Sequence, residues 1–113
     1  MKKLIENRPW GNFVRYSLNE PTTVKIITVN PDQELSLQSH SERKEFWKVL
    51  KGHPTITIGE KKIEAKPDDE FEVEQHVLHR IAATTDEVSI LEIAFGNFNE
   101  EDIVRVEDKY GRT

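Results

Sequence analysis

The chain has 113 residues, enough for one domain with a modest core and too few for two. Charged residues make up 33% of it, the net charge is −5, and the 16 basic residues are scattered, so we expect no nucleic-acid or membrane partner. It has no cysteine, which excludes disulfides and thiolate catalysis. Because residues 1–10 lack the apolar run of a signal peptide, we expect a cytoplasmic protein with one domain over residues 1–113.

Short segments of alternating apolar and polar residues follow one another along the chain. They cover residues 24–29, 34–38, 45–50, 55–58, 62–65, 70–74, 79–83 and 88–95. Turn residues separate them, and roughly eight strands at this spacing predict a sandwich, jelly roll or small barrel. Asn99 is a candidate cap for one helical turn before a last strand. We expect Trp10 and Trp47 in the core.

The stretch LSLQSHSERKEFW, residues 35–47, contains a candidate metal site. Gln38 and His40 are two residues apart and share one face of a strand. A turn at residues 41–44 would form a hairpin that brings Glu45, pointing inward, opposite His40. With His79 at the start of a later strand, the donors form a mixed nitrogen and oxygen set that suits zinc, manganese, iron, cobalt or nickel. A surface histidine beside a salt-bridged glutamate is the alternative at this point.

Six motifs resemble one known family over residues 6–112. They are RPWGNF (8–13), VKIITVNP (24–31), LSLQSH (35–40), ERKEFWKVLKG (42–52), VLHRI (77–81) and EEDIVRVEDKYGR (100–112). Together they resemble the cupin domain of type II mannose-6-phosphate isomerases. In bacteria, that domain also occurs as the C-terminal part of bifunctional enzymes with mannose-1-phosphate guanylyltransferase.

The resemblance implies an all-β cupin jelly roll, the double-stranded β-helix, as a single domain. It also implies one divalent metal ion, with zinc favoured over manganese, iron, cobalt and nickel. The implied ligands are Gln38, His40, Glu45 and His79, with glutamine at the first histidine position of the cupin motif, as in phosphomannose isomerases.

The chain departs from the family pattern near the implied site. Asp32 replaces the first glycine of the first cupin motif, and Glu42 stands where the family usually has histidine. In the second motif, Glu74 and His76 replace a proline and a glycine. His76 would occupy a tight turn that usually needs glycine, although histidine tolerates a positive φ better than most residues. These changes alter the surroundings of the metal set and not the set itself.

The function that the resemblance implies is metal-dependent interconversion of mannose 6-phosphate and fructose 6-phosphate. Lys25, Glu42 and His76 are the candidates for the catalytic base, and Arg80 and Arg112 are the candidates for binding the sugar phosphate. The alternative is a non-catalytic metal-binding cupin module that binds a sugar or sugar nucleotide or assists a partner enzyme. Since alternating strands leave sheet edges to cover, we also expect a homodimer.

Overall fold

The computed structural model describes residues 3–113, and every regular element in that range is a β-strand. The strands are β1 (Leu4–Arg8), β2 (Gly11–Arg15), β3 (Thr22–Val29), β4 (Leu37–Ser39), β5 (Arg43–Lys51), β6 (Thr55–Ile58), β7 (Lys61–Glu64), β8 (Glu70–Val73), β9 (His79–Ala82), β10 (Val88–Gly96) and β11 (Val104–Glu107). Within residues 3–113 no helix is long and apolar enough to cross a membrane.

Two sheets form the body of the molecule. One has the strand order β3-β10-β5-β8 and the other the order β11-β4-β9-β6-β7. The main core contains inward-facing side chains of both, such as Trp47 and Ile90 from the first sheet and Ile56 and Ile81 from the second, all buried. The sheets therefore face each other, which confirms the predicted all-β jelly roll.

The alternation along β10 shows how the sequence selects the buried face. Val88, Ile90 and Ala94 are fully buried, and Glu92 is in phase with them and is also buried. Successive side chains of a strand point to opposite faces, so Glu92 must point into the space between the sheets. The pattern that builds the core thus also places a carboxylate inside it.

Three details of the sequence reading were wrong. The segment after His40 makes no β4–β5 hairpin, because β4 and β5 belong to different sheets. The expected strand at 34–38 is reduced to β4, which is only three residues long. The Asn99 side chain accepts a hydrogen bond from the Glu101 N–H at 3.0 Å, as a cap would, but residues 100–101 form an isolated turn and no helix follows.

The hairpin of β1 and β2 has no counterpart in the sequence reading. It pairs Leu4 with Arg15 through to Arg8 with Gly11, in a two-stranded sheet of its own. Trp10 lies in its turn and is 73% exposed, so the expectation that it belongs to the core was wrong, whereas Trp47 is 1% exposed. The sequence ENRPWGN lacks the apolar alternation by which strands were recognised.

We predict that Gly52→Ala destabilises the fold by about 3 kcal/mol, because backbone strain at a positive φ and a steric clash of the added Cβ combine. Gly52 has φ +82°, and an added Cβ would collide with the backbone carbonyl of Glu87. Gly59→Ala is the matched control, since Gly59 has φ +60° but its nearest new contact is Val77 Cγ1 at 3.8 Å. Its loss should be about 1 kcal/mol, from the backbone alone. Urea unfolding of both variants measures the difference, and equal losses would contradict the steric argument.

Candidate metal centre

Three buried side chains from three separate segments meet between the sheets. His40 follows β4, Glu45 lies on β5, and His79 begins β9. One ligand atom from each lies within 4.8 Å of the others, which makes the three residues a group able to hold a metal ion. The inward direction predicted for Glu45 is confirmed, since it is 3% exposed. Glu45 reaches the histidines across the gap between the sheets and not through a hairpin.

Backbone carbonyls fix both imidazoles in the tautomer that a metal needs. His40 Nδ1 lies 2.6 Å from the Asp102 carbonyl oxygen, and His79 Nδ1 lies 2.9 Å from that of Val77. A carbonyl can only accept, so the hydrogen is on Nδ1 and Nε2 carries the lone pair that can bind a metal or accept a hydrogen bond. Each Nε2 is directed at Glu45, at 3.5 Å from Oε2 for His40 and 3.7 Å from Oε1 for His79.

Burial keeps both histidines neutral. Loss of hydration lowers the pKa of His79 to about 4 and also lowers the pKa of His40. They therefore make no ion pair with Glu45 at neutral pH. His79 Nε2 is buried and has no hydrogen-bond partner among residues 3–113, which is costly for a ring nitrogen. A divalent ion between the three residues would satisfy that atom, so the donor set fits a metal.

The register of each sheet lines up further polar residues beside this centre. In one sheet Arg105 pairs with Gln38, and Gln38 pairs with His79, so the three share a face. In the facing sheet Lys25 pairs with Glu92. Gln38 Oε1 accepts a hydrogen bond from Ser36 Oγ at 3.2 Å and retains a second lone pair. Gln38 is thus placed beside the centre, and its role as a ligand stays a prediction.

A cavity of about 280 Å³ opens onto the centre. Four cationic side chains are part of its wall: Lys25, Arg43, Arg105 and Arg112. The other residues of the wall are Ile27, Leu35, Ser36, Gln38, His40, Glu45, Trp47, Glu92, Phe98, Glu100, Ile103. The four cations outnumber the three carboxylates of the wall, Glu45, Glu92 and Glu100, by one, and cations focused in a cavity suit a small anionic ligand.

Two buried charged residues of the wall were missed from the sequence. Arg43 is 6% exposed, and its Nε donates to Glu45 Oε2 at 3.1 Å. Glu92 is 4% exposed and lies 3.3 Å from Lys25 Nζ. Burial, and then the charge of Glu45, raises the pKa of Glu92 to about 7. The available signal was strand phase, because Arg43 precedes Glu45 by two residues and Glu92 replaces an apolar residue on the inward face of β10.

A family model for mannose-6-phosphate isomerase C-terminal domains matches residues 2–108. The chain belongs to this family. It is 36% identical over 108 residues to the xanthan biosynthesis protein XanB of Xanthomonas campestris pv. campestris, covering 94% of this chain and 23% of that protein. It is also 36% identical over 109 residues to the mannose-1-phosphate guanylyltransferase ManC of Salmonella typhimurium, covering 93% and 22%. The chain thus spans less than a quarter of these relatives, and the family places it in carbohydrate metabolism.

A solved cupin protein of Bacteroides fragilis has the same fold. It superposes with a TM-score of 0.62 at 22% identity, over 75% of this chain and 76% of that one. This likeness confirms the cupin fold of the chain.

The predicted substrate and base residues divide into two groups. Lys25 and Arg112 line the cavity, and Arg112 is held by two hydrogen bonds to Asp108 at 2.8 and 3.1 Å. Arg80 lies outside the cavity wall, where its Nε donates to the Leu35 carbonyl at 2.9 Å. The family membership does not decide these roles, which stay predictions.

The other two candidates for the base, Glu42 and His76, are exposed and also lie outside the wall. Glu42 accepts a hydrogen bond from Asn97 at 3.3 Å. His76 has the positive φ that its turn requires, +67°, and its backbone N–H donates to the His40 carbonyl at 2.7 Å. The expected turn conformation of His76 is confirmed.

We predict that the purified protein binds one divalent ion and that His79→Ala weakens this binding by more than about 100-fold, because a direct ligand is lost. His53→Ala is the matched control, since His53 is exposed and paired with Asp86. Metal analysis and titration against a chromophoric chelator give the stoichiometry and affinity. Equal affinities in the two variants would remove His79 from the centre.

We predict that Glu92→Gln stabilises the metal-free protein at high pH and not at low pH. The folded pKa of Glu92, about 7, is above its unfolded value of 4.5, so its favourable contribution is complete below the unfolded value and is lost as the pH rises through the folded one. A glutamine does not titrate. The gain should therefore grow by about 1–3 kcal/mol between about pH 5 and pH 8.

Urea unfolding in the presence of a chelator measures this gain at each pH. Glu60→Gln, at an exposed glutamate, should change the unfolding free energy equally at both pH values. A pH-independent effect of Glu92→Gln would show that Glu92 is ionised in the fold throughout.

Proposed function

We propose that this domain catalyses the metal-dependent interconversion of mannose 6-phosphate and fructose 6-phosphate. The observation that supports this most directly is the buried His40–Glu45–His79 group, because His40 and Glu45 line a cavity that also has four cations in its wall. The cavity is of a size and charge that suit a small phosphorylated molecule. Membership of the mannose-6-phosphate isomerase family supports the same substrate class.

The reaction moves a proton between two neighbouring carbons of the sugar and passes through an enediolate. A divalent ion bound by His40, Glu45 and His79 would stabilise the negative charge that develops on the sugar oxygens. Gln38, beside His79, is the proposed fourth ligand. The imidazole hydrogen bonds to Asp102 and Val77 hold the two rings in place.

The Lys25–Glu92 pair is the best placed group for the proton transfer. Both residues line the cavity, and Glu92 is buried while Lys25 reaches it from the partly exposed rim. Proton transfer requires a group within hydrogen-bond reach of the substrate. Glu42 and His76 lie outside the cavity wall and do not meet this condition for a substrate bound in the cavity. We therefore propose Glu92 as the base, with Lys25 adjusting its charge.

Arg112 is the proposed phosphate ligand, because it lines the cavity and a guanidinium binds phosphate through two hydrogen bonds. Asp108 limits its freedom and so lowers the ordering cost of binding. Arg80 donates hydrogen bonds to the Leu35 carbonyl and to Glu107, and in this proposal its role is structural.

A binding module without catalysis is the rival function. The altered second cupin motif, with Glu74 and His76, favours it. Such a module would bind a sugar phosphate or sugar nucleotide and assist a partner enzyme.

We predict that His40→Ala and Glu45→Gln each lower kcat by at least about 100-fold, because each weakens the stabilisation of developing charge. A coupled assay of fructose 6-phosphate formation, with and without added divalent metal, measures the loss. Metal-loaded wild-type protein that binds mannose 6-phosphate without converting it would rule out the isomerase and support the binding module.

We predict that Arg112→Ala lowers kcat/KM for mannose 6-phosphate by about 10- to 100-fold, the value of a lost charged contact. Arg80→Ala is the matched control, and it should change kcat/KM by less than about threefold because Arg80 is outside the cavity wall. The same assay applies to both variants. The reverse order of effects would assign the phosphate to Arg80.

A further inference from the structure

Arg43 makes direct contact with two of the three metal-binding side chains. Its Nη2 lies 3.1 Å from His40 Nε2, and its Nε lies 3.1 Å from Glu45 Oε2. Among residues 3–113 it is the only lysine or arginine within 4.0 Å of a Glu45 oxygen. The guanidinium therefore supplies the positive charge beside this buried carboxylate.

The contact with His40 excludes a metal from that nitrogen. Since Nδ1 of His40 carries the ring hydrogen, Nε2 has one lone pair, and the Arg43 hydrogen bond uses it. A metal bond to Nε2 needs the same lone pair. Glu45 can bind a metal ion and the Arg43 guanidinium at the same time, because its two oxygens have enough lone pairs for both.

We propose that Arg43 is a built-in counter-cation that occupies the centre without metal, leaves His40 when a divalent ion binds, and then offers its charge to an anion in the cavity. The inference rests on the metal centre of the proposed function but not on isomerase activity. It assigns to Arg43 a positioning role that links metal binding to anion binding.

The segment between β10 and β11 also contacts Arg43 and connects it with the anion-binding cavity. The Arg43 guanidinium lies 4.2 Å from the centre of the Phe98 ring, and its Nη1 lies 3.4 Å from the Asn99 carbonyl oxygen. Both residues belong to the segment that lines the cavity. A guanidinium released from His40 therefore stays at the cavity wall. An anion that holds it there also keeps the His40 lone pair open, so each ligand strengthens binding of the other.

The test compares Co²⁺ affinity in four proteins by visible absorption, with inorganic sulfate as the anion and chloride at equal ionic strength as its control. In wild type, saturating sulfate should lower the Co²⁺ Kd by about fivefold or more. Arg43→Met should bind Co²⁺ at least about tenfold more tightly than wild type without sulfate, and sulfate should then have no effect on the Kd. Arg80→Met is the matched control, since it removes one positive charge from outside the cavity wall, where Arg80 is paired with Glu34 and Glu107. Its Kd should keep the sulfate dependence of wild type.

Arg43→Lys guards against a folding failure of Arg43→Met and leaves the net charge unchanged. One ammonium group lacks the fork that spans His40 and Glu45, so this variant should also bind Co²⁺ more tightly than wild type without sulfate. Tighter binding in Arg43→Met that Arg80→Met matches would reduce the effect to net charge and overturn the proposal. Folded Arg43 variants that bind Co²⁺ no more tightly than wild type would overturn it as well, as would the absence of Co²⁺ binding in all four proteins.

Discussion

The Glu45 carboxylate between two neutral imidazoles is the interaction on which the rest of the site depends. A buried carboxylate costs several kcal/mol unless a cation and hydrogen bonds compensate it. The Trp47 indole N–H supplies one hydrogen bond to Oε1, at 3.0 Å. The histidines supply no charge, because burial lowers the pKa of both. A cation must therefore come from Arg43, which contacts Glu45, or from a metal ion, which the three residues could hold.

The jelly roll fold holds the Glu45 carboxylate in this buried position between the two imidazoles. Glu45 is anchored in one sheet, and the register of the other sheet brings Gln38 beside His79 opposite it. The segment after β10 completes the enclosure through Asp102, whose carbonyl holds His40. The Asp102 carboxylate accepts hydrogen bonds from the Ser41 side chain and from backbone N–H groups, which lowers its pKa to about 2 and fixes the segment in place.

Sequence reasoning recovered the fold and the proximity of three expected site residues, His40, Glu45 and His79, but for different reasons. The strands were visible from period-two alternation, whereas no local pattern connects His79 with His40, 39 positions earlier. The residue type and strand position of His79 made it a candidate, and the family resemblance then implied the full set. The contact across the sheets was mistaken for a hairpin because the order of strands in a sheet is not encoded in local pattern. Arg43 and Glu92 were missed because burial of a charge depends on the partner that the fold supplies.

Two departures from the family motifs, Asp32 and His76, preserve the backbone conformation that a glycine would adopt. Asp32 and His76 replace glycines, yet both adopt a positive φ, +65° and +67°. Each substitution costs about 1 kcal/mol of strain without changing the path of the chain. The His76 backbone N–H in this turn also donates a hydrogen bond to the His40 carbonyl. His40 is therefore held both through its backbone and through the hydrogen bond of its Nδ1. The altered motif thus lowers stability by a small amount, while His40, Glu45 and His79 still lie together as a group able to hold a metal ion.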